Sequence, residues 1–106
     1  MNVTFNGEEL DVVFGSYGNN GNTAIQLVNK DDELYTVATV NLEKEDKDIV
    51  GIKDYSENEG MVDALVEAGV IEKHFVKMEP SGFIVIPYFP LTEKAKELRD
   101  KQFEEQ

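Results

Sequence analysis

Asp54-Tyr55-Ser56-Glu57-Asn58-Glu59-Gly60-Met61-Val62-Asp63-Ala64-Leu65-Val66-Glu67-Ala68-Gly69 is the segment whose period decides the fold, because it reads as a helix in a chain that otherwise reads as strands until its C-terminal tail. Ser56 and Glu59 match a capping box: a serine hydroxyl can accept from the amide three residues on, while the glutamate reaches back to the serine amide. Met61, Leu65 and Ala68, with Val62 beside them, form an apolar stripe, and Gly69 supplies a left-handed stop. The pattern predicts a helix from Glu57 to Ala68, roughly three turns long.

Working outward, strand patterns lie on both sides. Val3 to Phe5 and Leu10 to Tyr17 read as a hairpin around Asn6-Gly7-Glu8, with Leu10, Val12 and Phe14 on one face by the two-residue period. Asn20-Gly21 reads as a two-residue turn into a strand from Thr23 to Asn29, where Ile25 and Leu27 share a side. After the turn Lys30-Asp31-Asp32-Glu33, a strand from Leu34 to Leu42 carries Leu34, Ala38, Val40 and Leu42 on one face. Glu43 to Asp48 reads as a solvated mixed-charge loop, and Ile49 to Lys53 as a short strand leading into the helix. Beyond the helix, Val70 to Met78 and Phe83 to Phe89 read as a hairpin around Glu79-Pro80-Ser81-Gly82. The unbroken apolar run Phe83-Ile84-Val85-Ile86 predicts a strand buried on both faces, between sheet and helix, with Pro87 and Pro90 marking its exit from the ladder.

These elements predict an α+β fold: a mostly antiparallel sheet of about five to seven strands, one central amphipathic helix and a C-terminal helical tail. At 106 residues, one domain over residues 1–91 accommodates the core without metals or disulfides. Residues 92–106 form a helical or partly disordered tail, opened by Thr92 as N-cap, with Leu91, Ala95 and Leu98 at helical spacing and little apolar surface in its outer half.

Acidic residues outnumber basic ones 22 to 10, for a net charge of -12. That field repels nucleic acid and anionic membranes, so the natural partners are basic surfaces, among them those that bind nucleic acid. Solubility alone is the competing explanation. The absence of cysteine removes disulfides, thiolate catalysis and cysteine-based zinc sites. Neither a signal-peptide pattern nor an apolar run of the ~20 residues that span a bilayer is present, so the expectation is an intracellular protein.

Between Asp54 and Glu72 the acids Asp54, Glu57, Glu59, Asp63, Glu67 and Glu72 occur without a Lys or Arg among them. Glu59, Asp63 and Glu67 recur every four residues, which on a helix makes a row with a rise of ~6 Å between neighbours, comparable to a short run of backbone phosphates. A polar face is needed by any amphipathic helix, but stacked like charges cost a few tenths of a kcal/mol each, where a Glu/Lys pairing would not. Asp54, Tyr55, Glu57, Glu59, Asp63 and Glu67 are therefore the candidate partner-binding residues, with the Tyr55 ring placed to flank a bound arginine.

No catalytic set is visible. Ser16, in Gly15-Ser16-Tyr17-Gly18, is not in a nucleophile elbow, and His74 is the only histidine, read as a partly buried or surface strand residue. Asp31-Asp32-Glu33 lacks the alternating ligands and the glycine of a calcium loop. No metal, no cofactor and no enzymatic activity are expected.

Ala24 to Val28, Tyr35 to Leu42, the block Ile52 to Met61 with its Asp54-Tyr55-Ser56-Glu57-Asn58-Glu59-Gly60-Met61 core, Ala68-Gly69 and Gly82-Phe83 together resemble a family of small uncharacterised acidic proteins of conjugative plasmids, phages and other mobile elements. The resemblance covers residues 23–90. The Glu43 to Asp48 loop departs from it and the C-terminal tail lies outside it. It implies no reaction and no catalytic residue. It implies a setting, the bacterial host cytoplasm, and an anti-defence role. The expected function is then that of a non-enzymatic anti-CRISPR inhibitor, a DNA mimic occupying a basic nucleic-acid-binding surface of a Cas nuclease. The alternatives are an anti-restriction mimic of a restriction enzyme's substrate, or a protein-binding accessory module of the plasmid or phage with no inhibitory role.

Overall fold

Alternation along the N-terminal third builds the first sheet. In the computed structural model, which describes residues 1–105, β1 (Asn2–Phe5) and β2 (Glu8–Ser16) pair antiparallel across Asn6 and Gly7. Both turn residues have positive φ, 53° and 77°, as a type I′ turn requires. Leu10, Val12 and Phe14 face inward and are buried. β3 (Thr23–Val28) sets Ile25 opposite Phe14 and Leu27 opposite Val12. The β2–β3 connection is the loop 17–22, closed by Tyr17 N–H to Asn22 O (2.9 Å) and Gly21 N–H to Tyr17 O (2.8 Å). Asn20-Gly21 lies inside this loop and is not the two-residue turn expected.

The segment Leu34 to Leu42 is not one strand. It splits into β4 (Leu34–Val37), at the edge of the first sheet, and β5 (Thr39–Val40), in a second sheet. Ala38, fully buried, sits at the crossing: its N–H donates to Ile25 O of the first sheet, and its carbonyl accepts from the N–H of Lys53, which directly follows a strand of the second, both at 2.8 Å. A strand that changes sheets loses a continuous inward face. Of the four residues expected to point inward, Ala38 alone is fully buried, while Leu34 is 59% exposed and Val40 and Leu42 are half-buried.

The second sheet contains β6 (Ile49–Ile52), β7 (Lys77–Ser81) and β8 (Ile84–Pro90) in the order β5-β6-β8-β7. The fold class expected from the sequence is therefore present, but as two four-stranded antiparallel sheets and two helices rather than one larger sheet. Val70 to Met78 does not form a strand throughout. Ile71 makes a single bridge to Leu91, and the ladder begins at Lys77. The turn is Gly82-Phe83, not Glu79 to Gly82: Ser81 pairs with Ile84, and Gly82 alone carries the positive φ (63°).

Phe83 to Ile86 is not buried on both faces. Phe83 is fully exposed and Val85 is 56% exposed, while Ile86 is buried. Nor do the prolines end the ladder. Pro87 pairs with Met78 and Pro90 with Ile49. Pro87 is tolerated because β6 pairing ends at Gly51–Tyr88, so no neighbour on that side needs an N–H from residue 87.

Two helices complete the core. α1 (Met61–Glu67) buries Met61 and Leu65, with Val62 and Ala68 packed at the margin. α2 (Glu93–Glu104) is capped by Thr92, whose Oγ1 accepts from Ala95 N–H at 3.1 Å. The tail, expected as helical or partly disordered, is a docked helix as far as Glu104. Where β1 stops covering β2, the Gln102 side chain stands in for a strand, accepting from Phe14 N–H (2.8 Å) and donating to Val12 O (3.1 Å). Arg99, 2% exposed, donates to Lys47 O (2.8 Å) and Asp48 Oδ1 (2.7 Å). Together with Thr23 Oγ1–H to Lys47 O and Asn22 Nδ2–H to Glu43 O, this pins the loop 43–48, which is thus not merely solvated.

Candidate protein-binding surface

The acidic segment from Asp54 to Glu67 folds as an approach loop, a 3-10 turn (Ser56–Asn58) and α1, not as one helix from Glu57. The capping box is not formed. Ser56 has φ 57°, a left-handed conformation that turns the chain before any α-helix begins, and no side-chain cap bond is made there. The N-cap position of α1 is Gly60, which has no side chain to offer. Asp54 fills the gap across sequence: Oδ1 accepts from Gly60 N–H (2.8 Å) and Oδ2 from Val62 N–H (2.9 Å). A carboxylate at a helix start satisfies orphan amides and complements the helix dipole.

The six sequence candidates therefore divide. Asp54 is turned inward as the cap. Glu57 pairs with Lys53, four residues earlier, and that hydrogen bond, with help from its own backbone and Ser56, holds its carboxyl down to about 2. The Lys53 ammonium also lies 5.5 Å from the centroid of the Tyr55 ring, so the ring already carries a cation. Glu59, Asp63 and Glu67 are exposed and form no ion pair among the described residues. They are not a single helical row, because Glu59 precedes α1 with φ -55° and ψ 129°. Asp63 and Glu67 remain one turn apart on α1, with Glu59 at the corner leading into it.

Sequence reasoning missed Asn58, which makes that corner rigid. It is fully buried, accepting from Thr36 Oγ1–H at 2.7 Å and donating through Nδ2 to Val37 O at 2.9 Å, so the 3-10 turn is bolted to β4. The signal was its place in the middle of the acidic block, where a neutral amide among carboxylates marks an inward-facing position. Beside α1, Asn2, Thr4, Ala64, Glu67 and Ala68 line an open depression of about 360 Å³.

Among the described residues no group of three acidic, histidine or cysteine side chains is placed to hold a metal ion, and no buried side-chain polar atom lacks a partner. His74 and Ser16 are both exposed. No helix among those described is long and apolar enough to cross a membrane. Comparison of the chain with protein-family models, curated proteins and solved structures gives no match.

Proposed function

We propose that the protein is a non-enzymatic anti-defence protein of a mobile element, most simply an anti-CRISPR inhibitor that occupies a basic nucleic-acid-binding surface of a Cas nuclease. The observation that carries this reading is the corner made by Glu59, Asp63 and Glu67: three carboxylates without a cationic partner among the described residues, in a chain of net charge -12. Asp54 and Asn58 hold it in one shape. A preorganised anionic surface meets a basic groove with little ordering cost, and long-range attraction raises the association rate. An anti-restriction mimic would act by the same physics on a restriction enzyme.

The test is inhibition of nucleic-acid binding by a Cas nuclease. Glu59→Lys, Asp63→Lys and Glu67→Lys together are expected to abolish inhibition while leaving the fold intact, since exposed substitutions are usually within about ±0.5 kcal/mol in stability. Inhibition by the unaltered chain is expected to weaken as salt rises. Tight, salt-insensitive inhibition by the triple variant would remove the acidic corner from the mechanism. The inhibitory site would then lie on the sheets or their loops; the accessory protein-binding role would stand instead if the unaltered chain inhibited nothing, and the exposed apolar residues Phe83 and Val85 at the β7–β8 edge of the second sheet favour that second reading.

A further inference from the structure

Of the six large apolar residues that are at least half exposed, five, Phe75, Val76, Met78, Phe83 and Val85, lie in or next to the β7–β8 hairpin, and only Leu34 lies elsewhere. Their position follows from strand alternation. Phe89 lies in the core, paired with Val50. Along β8 the residues on that same face are Pro87 and Val85, and their β7 partners are Met78 and Pro80. The hairpin thus carries the core-facing side of the second sheet outward past the core, where none of the described residues covers it. The opposite face is covered: Tyr88 is buried beneath Lys77, 4.7 Å from its ring centroid, and Lys77 pairs with Glu45 and Glu79.

Two features say what kind of partner fits. The first is the edge. Proline has no N–H, and alternate pairs of an antiparallel ladder exchange hydrogen bonds, so Pro80–Val85 and Met78–Pro87 must be the non-bonded pairs. Pro80 then turns its ring nitrogen to the free edge of β7, which protects that edge from strand addition. The face, not the backbone edge, is the part open to a partner. The second is charge. Beside the face, Leu42, Glu43, Glu79 and Pro80 line a cleft of about 530 Å³. Glu79 already pairs with Lys77, which it shares with Glu45, whereas Glu43 forms no ion pair among the described residues; three carboxylates around one ammonium leave excess negative charge at this rim, which suits an arginine whose stem lies along Leu42 and Pro80 and whose guanidinium meets Glu43. A second copy of this chain is disfavoured as occupant, since each brings a net charge of -12.

The geometry points to the β7–β8 hairpin as a docking face for another protein's surface in which apolar side chains are bordered by arginine. This inference is independent of the acidic corner at α1, and its test separates the two. The full chain, labelled with nitrogen-15, is titrated with three synthetic peptides: alternating leucine and arginine, alternating leucine and glutamate, and arginine alone. The leucine–arginine peptide is expected to bind most tightly and to shift the amides of residues 75–85 together with Leu42 and Glu43. Phe83→Ser with Val85→Ser should weaken it at least about tenfold, a loss of about 1.4 kcal/mol, without changing the circular dichroism. Glu59→Lys with Asp63→Lys should leave its shifts in place. The inference is overturned if that peptide does not bind, if the leucine–glutamate peptide binds as well, or if shifts are confined to α1, as arginine alone would produce. It is equally overturned if sedimentation shows a dimer whose formation shifts the hairpin amides.

Discussion

Asp54 belongs by sign to the acidic surface and by geometry to the interior of the loop, with one oxygen on Gly60 N–H and the other on Val62 N–H. Asp54→Ala is expected to cost about 1–2 kcal/mol, read as a lower urea midpoint, because it strands two amides at the start of α1. Ser56→Ala should be close to neutral, within about ±0.5 kcal/mol, as no side-chain cap is made there. The reverse order of effects would restore the capping box. That motif was misleading because a pattern of residue types does not carry φ, and at φ 57° Ser56 cannot act as the N-cap of a helix that begins only at Met61. Glu57 gives a second residue-scale prediction. Its carboxyl is depressed in the folded chain to about 2 from an ordinary 4.5, so the stabilisation from Lys53 is present above the unfolded value. It is lost as pH falls through that window. A carbon-13 NMR titration should place the Glu57 carboxyl below the ordinary carboxylate range, and Lys53→Met should return it to that range. Titration of Glu57 in the ordinary range in the unaltered chain would show that the pair does not form in solution.

At the scale of elements, alternation was readable wherever a strand stays in one sheet. Leu10, Val12 and Phe14 on β2, and Ile25 and Leu27 on β3, are buried as their period requires, and the Met61–Leu65 stripe of α1 is buried as its own period requires. Leu65→Ala should therefore cost about 2–5 kcal/mol as a buried truncation, and an unchanged denaturation midpoint would make α1 peripheral. What could not be read is the point where a strand leaves its sheet. Nothing in Val37-Ala38-Thr39 announces the crossing except the small size of Ala38, which lets the two sheets meet at its backbone. The same holds for Phe83 to Ile86, where an apolar run marks an uncovered face instead of a doubly buried one. Gly51 shows how tightly the second sheet closes on its other side. A Cβ there would lie 2.9 Å from Tyr88 Cζ and 3.1 Å from Ile86 Cγ2, both on buried side chains. Gly51→Ala is expected to cost about 1–3 kcal/mol by overpacking, measured by thermal denaturation. A variant as stable as the parent would mean that the Tyr88 ring has room to shift beneath Lys77.

For the molecule as a whole, the charge sets stability and the proposed binding against each other. The structure is 35 Å across at its longest, so at about 0.01 M salt, where the screening length is about 30 Å, nearly every acid repels nearly every other. At about 1 M the length falls to about 3 Å, and only contacts such as Arg99 with Asp48, at 2.7 Å, keep their strength. The interior of this fold depends little on exposed charge: its buried polar groups, Arg99 and Asn58 among them, are tied to carbonyls and short-range partners. Raising salt should therefore relieve self-repulsion and move the urea midpoint of the free chain upward, because the folded state crowds the net charge of -12 more than the unfolded chain does. Over the same range, affinity for a basic partner at Glu59, Asp63 and Glu67 should fall, while binding at the apolar hairpin should lose only its arginine share. Opposite salt slopes for stability and for inhibition, measured on one preparation, are the expected signature. If both quantities fell together as salt rose, exposed ion pairs rather than the apolar core would be holding the molecule in shape, and the acidic surface would have a structural explanation in place of a functional one.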